Sequence, residues 1–280
     1  MKRIAILLTG LSIGFSALAQ TDTTNTEKVD TVRIGGMIII KKKGKDDEEG
    51  RNNHTHVHYD RSNTVKPKKV STNWLVFDIG FNNYTDHTDY ASPGIQDPAT
   101  GFAPGANEDW FKLRTGKSIN VNVWLFMQKL SIINNYVNLK YGLGVELNNY
   151  RYKSPIKYKV NPTQAIMDNS TNYSKNKLAA DYVTVPLMLN FDFAPTRKRK
   201  LGISAGVSAG YLYSSRQKTI TDADGKRKKR DDFNLRPWKL NYIGEITFGW
   251  VGVYGSVASQ SMFEKGPDQT PYAVGLRFGW

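Results

Sequence analysis

The stretch Tyr272-Ala273-Val274-Gly275-Leu276-Arg277-Phe278-Gly279-Trp280 decides the fold. In an extended chain successive side chains point to opposite faces. Tyr272, Val274, Leu276, Phe278 and Trp280 therefore share one face, and Ala273, Gly275, Arg277 and Gly279 share the other. One face is greasy and the other small or charged, the pairing that a transmembrane strand needs because lipid-facing and lumen-facing residues alternate along it. The terminal residues of a water-soluble domain usually fray, so an amphipathic strand ending on an aromatic predicts a membrane β-structure.

Seven further segments upstream repeat the alternation: 74–84, 118–127, 136–150, 181–193, 201–213, 238–248 and 251–261. In the first, Leu75, Phe77, Ile79 and Phe81 point out, against Asp78, Gly80 and Asn82. In the second, Ile119, Val121, Val123, Leu125 and Met127 point out, against Asn120 and Asn122. Connections of about 85–117, 153–180, 214–237 and 262–271 are long and polar, whereas 128–135, 194–200 and 249–250 are short. Sorting into long external loops and short periplasmic turns is the rule for outer-membrane sheets. The prediction is an all-β fold: an eight-stranded antiparallel up-and-down transmembrane β-barrel over 73–280, in the outer membrane of a Gram-negative bacterium, with both termini periplasmic.

The front of the chain agrees. Lys2 and Arg3, an apolar run from Ile4 to Phe15, and Ala17-Leu18-Ala19 predict a signal peptide over 1–19. Residues 20–72 read as a flexible, mostly disordered periplasmic segment in which Val32 to Ile40 forms one short strand before the charge block Lys41 to Glu49. There is no cysteine, which excludes disulfides and lipidation at cysteine. The net charge of +14 sits mainly in turns and loops, so anionic lipid headgroups, not nucleic acid, are the expected partners. Lys226-Arg227-Lys228-Lys229-Arg230 is the candidate for lipopolysaccharide phosphates, and Arg197 to Lys200 for phospholipid of the inner leaflet. The C-terminal strand is the segment expected to meet the barrel-assembly machinery.

The segment Tyr182-Val183-Thr184-Val185-Pro186-Leu187-Met188-Leu189-Asn190 resembles the Val-Pro-Leu strand of PorT-type outer-membrane proteins. Tyr211, Ser261-Met262-Phe263 and the run from Tyr272 to Phe278 resemble the later strands of that family, so the likeness covers about residues 73–280. It implies a small eight-stranded barrel and carries over no catalytic residue; one member is associated with a secretion system.

Inward positions hold Asp78, Glu146, Asp192 and Glu245 with Lys140, Lys239 and Arg277. Strand direction makes Asp78 with Arg277, and Lys140 with Asp192, the candidate lumen pairs. Neutralisation in a filled interior is preferred over a gated ion path, because a ring of this size is just wide enough for its own side chains. His54, His56 and His58 alternate on one side of an extended chain and make a weak metal candidate, but lack a fixed fourth ligand; no metal or cofactor is expected. His87, with Asp86, Asp89 and the serines Ser214 and Ser215, is too sparse a set for a triad. The loop from Thr85 to Trp110 reads as solvated and stiffened by Pro and Gly. The expected function is a non-catalytic structural or interaction role through loops and tail. Alternatives are a component of secretion across the outer membrane, a rim-located membrane enzyme, or a narrow channel.

Overall fold

The computed structural model describes residues 30–34, 37–41, 69–195 and 201–279. The chain divides into two units, Met1–Thr64 and Val65–Trp280. In the first, β1 (Asp30–Ile34) and β2 (Met37–Lys41) pair antiparallel, with Ile34 opposite Met37. The single strand expected over 32–40 is thus two, β1 ending at Ile34 and β2 beginning at Met37. The signal peptide, the disorder expected around this hairpin, His54, His56, His58 and Arg197 to Lys200 lie outside the described residues.

The second unit is built on one sheet of nine strands: β3 (Val70–Asp86), β4 (Ile119–Ile133), β5 (Val137–Arg151), β8 (Tyr173–Asp192), β9 (Leu201–Thr221), β10 (Gly225–Arg230), β11 (Trp238–Phe248), β12 (Val251–Ala258) and β13 (Gln269–Phe278). The hydrogen-bonded order is β10-β9-β11-β12-β13-β3-β4-β5-β8, and β8 also pairs with β9. The loop between β5 and β8 contributes a separate hairpin, β6 (Ile156–Lys159) with β7 (Gln164–Met167). The eight-stranded up-and-down barrel expected from the sequence is corrected accordingly. The sheet has nine strands in an irregular ring, because residues 225–230 fold back as β10 on the extended end of β9. Strand lengths run from 6 residues in β10 and 8 in β12 to 21 in β9, so one side of the ring stands far taller than the other.

Alternation governs which side chains are covered. Phe77, Ile79, Phe81, Val183, Val185, Leu187, Leu189, Ile203 and Leu276 stand exposed on the outer face, while Asp78, Asn120, Asn122, Asn138, Asn190, Ser204 and Asn241 are buried inside. So much contiguous apolar exterior would be insoluble in water; it suits lipid.

Of four register shifts in β4, β5, β8 and β9, two fall mid-strand and break the parity there. Register shifts between Trp124 and Phe126, where Leu125 is the extra residue and remains half exposed. Beyond it the inward set of β4 changes from even to odd, so Met127, expected outside, is buried at 1% exposure, and Lys129 turns in too. A second shift lies at Asp181/Tyr182, where Tyr213 of β9 is unpaired. Glycine is required where β3 meets β13: a Cβ on Gly80 would lie 2.3 Å from the Val274 carbonyl oxygen, and one on Gly275 2.3 Å from that of Ile79.

Candidate functional site

The ring interior is a network of charges. Arg277 forks onto Asp78, Nε to Oδ1 and Nη2 to Oδ2, each at 2.7 Å. Two parallel charge-assisted bonds make this the strongest type of ion pair available to a side chain. The same guanidinium donates through Nη1 to Glu245, whose other oxygen accepts from Lys140. Asp78 also receives the Trp124 indole N–H at 2.8 Å and the Asn122 amide at 3.1 Å. The guanidinium lies over the rings of Trp124 and Tyr254, 5.4 and 5.8 Å from their centroids, a cation–π setting. Higher up, Lys239 pairs with Glu146 and sits 4.5 Å over the Tyr182 ring. Asn148 and Thr184 donate to the two Glu146 oxygens at 3.2 and 3.4 Å.

The structure brings Asp78, Arg277, Glu245 and Lys140 into one chain of contacts. Lys140 reaches Glu245 across the interior, a pairing that counting between adjacent strands does not find. Asp192 lies four residues along β8 from Met188, the register partner of Lys140, and accepts the Ala194 backbone N–H at 3.1 Å. Lys129, in the stretch read as the short connection 128–135, lies within β4 and stands opposite Lys140 in the β4–β5 register. Only a longer β4 and the bulge at Leu125 together could have revealed it. Asp78, Glu146, Asp192 and Glu245 thus share the interior with Lys129, Lys140, Lys239 and Arg277, so the formal charges of these eight balance. The space left beside Arg277, Glu245 and Tyr254 is about 30 Å³, enough for a water or two.

Above the ring the long connections build a second, apolar core. Phe102 and Phe111 from the first connection, Ile156, Tyr158 and Ala165 from the second, Phe233 and Leu235 from the third, and Met262 and Phe263 from the fourth are all buried together. Phe102 packs edge-on against Phe263 at 5.2 Å, and Tyr158 tilts against Phe233 at 5.3 Å. Main-chain bonds tie the connections to one another: Ala165 N–H to the Phe102 carbonyl at 2.7 Å, Lys153 N–H to Lys112 at 2.9 Å, and Arg236 N–H to Met262 at 2.8 Å. Buried Gln217 receives the Tyr158 N–H at 3.0 Å and donates to the Ile156 carbonyl at 2.9 Å, fastening the β6–β7 hairpin to β9. Tyr152 and Tyr158 share a hydroxyl bond of 2.7 Å, and burial, with each other's presence, raises the Tyr152 phenol well above its ordinary pKa. The expectation of a solvated loop over Thr85 to Trp110 is therefore corrected. Ile95, Phe102, Ala103 and Ala106 are core residues, and Pro93 starts a single helical turn ending at Gln96.

The triad reading finds no assembly among the described residues. His87 is exposed with its backbone N–H on Asp268, and the Ser215 hydroxyl is given to the Asp231 carbonyl.

Comparison with curated proteins gave no match. Among solved structures, Ail, the attachment invasion locus protein of Yersinia pestis crystallised with the heparin analogue sucrose octasulfate, is 9% identical, with a TM-score of 0.31 over 75% of this chain and 98% of that one. A structure described under asymmetric conductivity of engineered proteins is 10% identical, with a TM-score of 0.17 over 75% of this chain and all of that one. At those scores neither likeness bears on function. Residues 75–257 match the family described as outer membrane protein beta-barrel domain. The chain belongs to that family, and its second unit is an outer-membrane-type β-domain.

Proposed function

We propose that this domain is a closed, non-conducting outer-membrane unit with a structural and interaction role. On this reading the charge-filled ring crosses the membrane, the long connections form a prefolded contact platform outside, and both termini, with the β1–β2 hairpin, lie in the periplasm. The observation that carries the reading is the pairing of two filled cores. Asp78, Arg277, Glu245 and Lys140 occupy the interior, and the aromatic cluster around Phe102 and Phe263 closes the loop side. A ring of this size has no lumen to spare, and a platform cross-linked by main-chain bonds offers partners a surface with little ordering cost. The PorT-type resemblance of Tyr182 to Asn190 supports an outer-membrane role and adds no activity.

Planar-bilayer recording of the purified protein, paired with heat-modifiability on a denaturing gel, tests this. The expected result is a faster-migrating unboiled band and no single-channel steps. Steady conductance from the heat-modifiable form would replace the plug with a pore.

A further inference from the structure

Resting on that membrane reading, we infer that the outer face of the extended β5–β8–β9–β10 sheet docks the phosphate groups of a membrane glycolipid in the outer leaflet. The register aligns Arg151 with Lys177, Lys177 with Lys218, and Lys218 with Lys228, one cation on each of four neighbouring strands. A second row aligns Ala179, Arg216 and Arg230, and a third Lys175, Ile220 and Lys226. Seven lysines and arginines on β8, β9 and β10 thus occupy one face, joined by Arg151 of β5. Like charges directly opposite each other on paired strands destabilise a sheet, so the arrangement calls for a counter-charge.

Within the protein that counter-charge is small. Arg216 donates to Asp181, and Lys177 to the neutral side chain of Asn149. Burial first, then Lys175, Lys218 and Arg216, push the Lys177 ammonium down to about 8. Lysines on an open edge strand such as β10 also guard against aggregation. That role does not account for Arg151, Lys177 and Lys218, whose strands are paired on both sides.

Position selects the occupant. On the same face, β8 continues as exposed Val183, Val185 and Leu187, and Tyr211, Tyr213 and Trp238 mark the aromatic rim between. Ala179 and Lys177 stand four and six residues beyond Val183, about 13 and 20 Å of strand, or roughly 9 and 14 Å of height at a 45° tilt. A phospholipid headgroup layer is only about 5–8 Å deep. A lipid carrying phosphates on a saccharide reaches that height.

The test uses detergent-solubilised full-length protein titrated with bisphosphorylated lipid A, with dephosphorylated lipid A and with phosphatidylglycerol. Lipid A is expected to bind tightest, with an affinity that falls with salt. Each cation removed is expected to weaken binding roughly fivefold, so Lys177→Gln/Lys218→Gln should lose at least tenfold. Lys226→Gln/Lys228→Gln, on the exposed hairpin, provides the same reading if the first variant folds poorly; the heat-modifiable band reports folding in each. Equal binding of the dephosphorylated lipid, or unchanged affinity in a folded variant, overturns the site. Preference for phosphatidylglycerol overturns the glycolipid as occupant. Absence of a heat-modifiable band in the unaltered protein would instead sink the membrane reading itself.

Discussion

Below the rim, buried space is filled by ion pairs and amides; above it, buried space is filled by phenylalanine, tyrosine and leucine. The two regions share strands, and their chemistry differs because their surroundings do. Where lipid covers the outer face, alternation assigns the apolar half of each strand outward, and only polar residues remain to fill the ring. Above the rim water covers the outer face, and the assignment reverses. On β8 the inward even-numbered residues pass from Asn190 and Thr184 to Leu178 and Ala180, while the outward ones pass from Val183 to Lys177. On β9 the unpaired Tyr213 makes the change, so Ser204 and Ser208 face in below it and Ser215 and Gln217 above it. The molecule is a membrane protein and a small water-soluble core built on one set of strands.

Four interventions act on one region and spare the other. The largest effect is expected from Arg277→Met, which strips Asp78 and Glu245 of their shared cation in a buried setting. Breaking a buried pair from one side costs about 3–5 kcal/mol, read as a lower urea midpoint for loss of the heat-modifiable band. Asp78→Asn added to Arg277→Met should recover part of that loss; strictly additive losses would show that the two do not act as a pair. Next is Phe111→Ala in the cap, expected to cost about 3 kcal/mol through the cavity it leaves. Limited proteolysis should then cut within residues 85–117 and 153–180 while the urea midpoint of the ring holds. A midpoint that falls as far as with Arg277→Met would mean that cap and ring are one cooperative core.

Gly275→Val acts on the ring wall alone. Its Cβ would lie 2.3 Å from the Ile79 carbonyl oxygen and 2.4 Å from the Gly80 Cα, and overpacking of this kind costs about 1–3 kcal/mol. The same midpoint should fall without new cleavage in the cap. The smallest effect concerns pH. Asp168 accepts from Ser170 at 2.6 Å, Tyr173 at 2.7 Å and Thr171 at 3.0 Å, and these bonds hold its carboxyl down at about 2. A lowered acid stabilises above its ordinary pKa, and the contribution is lost as pH falls through about 2. Amide exchange at Ala165 and Ile166, corrected for intrinsic rates, should quicken between pH 4 and pH 2, and Asp168→Asn should abolish that dependence.

The outer-membrane class was legible in the sequence because lipid and a two-residue period write themselves onto every strand. Asp78 and Arg277 could be named from parity and strand direction, and they stand 2.7 Å apart. Met127 could not, since one extra residue at Leu125 inverts parity and carries no composition signature, and Lys129 could not because the strand was read as ending at 127 where it runs on to Ile133. The meeting of Lys140 with Glu245 was out of reach for another reason: it crosses the interior between strands that are not neighbours. The cap was missed because its apolar residues are scattered singly among Pro, Gly and Asp over four connections, without a period to betray them. β10 was hidden in a run of basic residues that read as a loop tip.

The clasp of Asp78 by Arg277 joins residues 199 apart in sequence, at the seam where β13 meets β3. Loop-closure entropy makes so distant a pairing late and slow. Until β13 docks, the carboxylate waits without its guanidinium, and burying it alone is unfavourable. The order of events is thereby tied to the charge pattern: β13, which must find β3 across 199 residues, supplies the cation that permits their pairing. Stopped-flow refolding into micelles should show Arg277→Met slowing the final phase and sparing the earlier ones, whereas equal slowing throughout would place the clasp early.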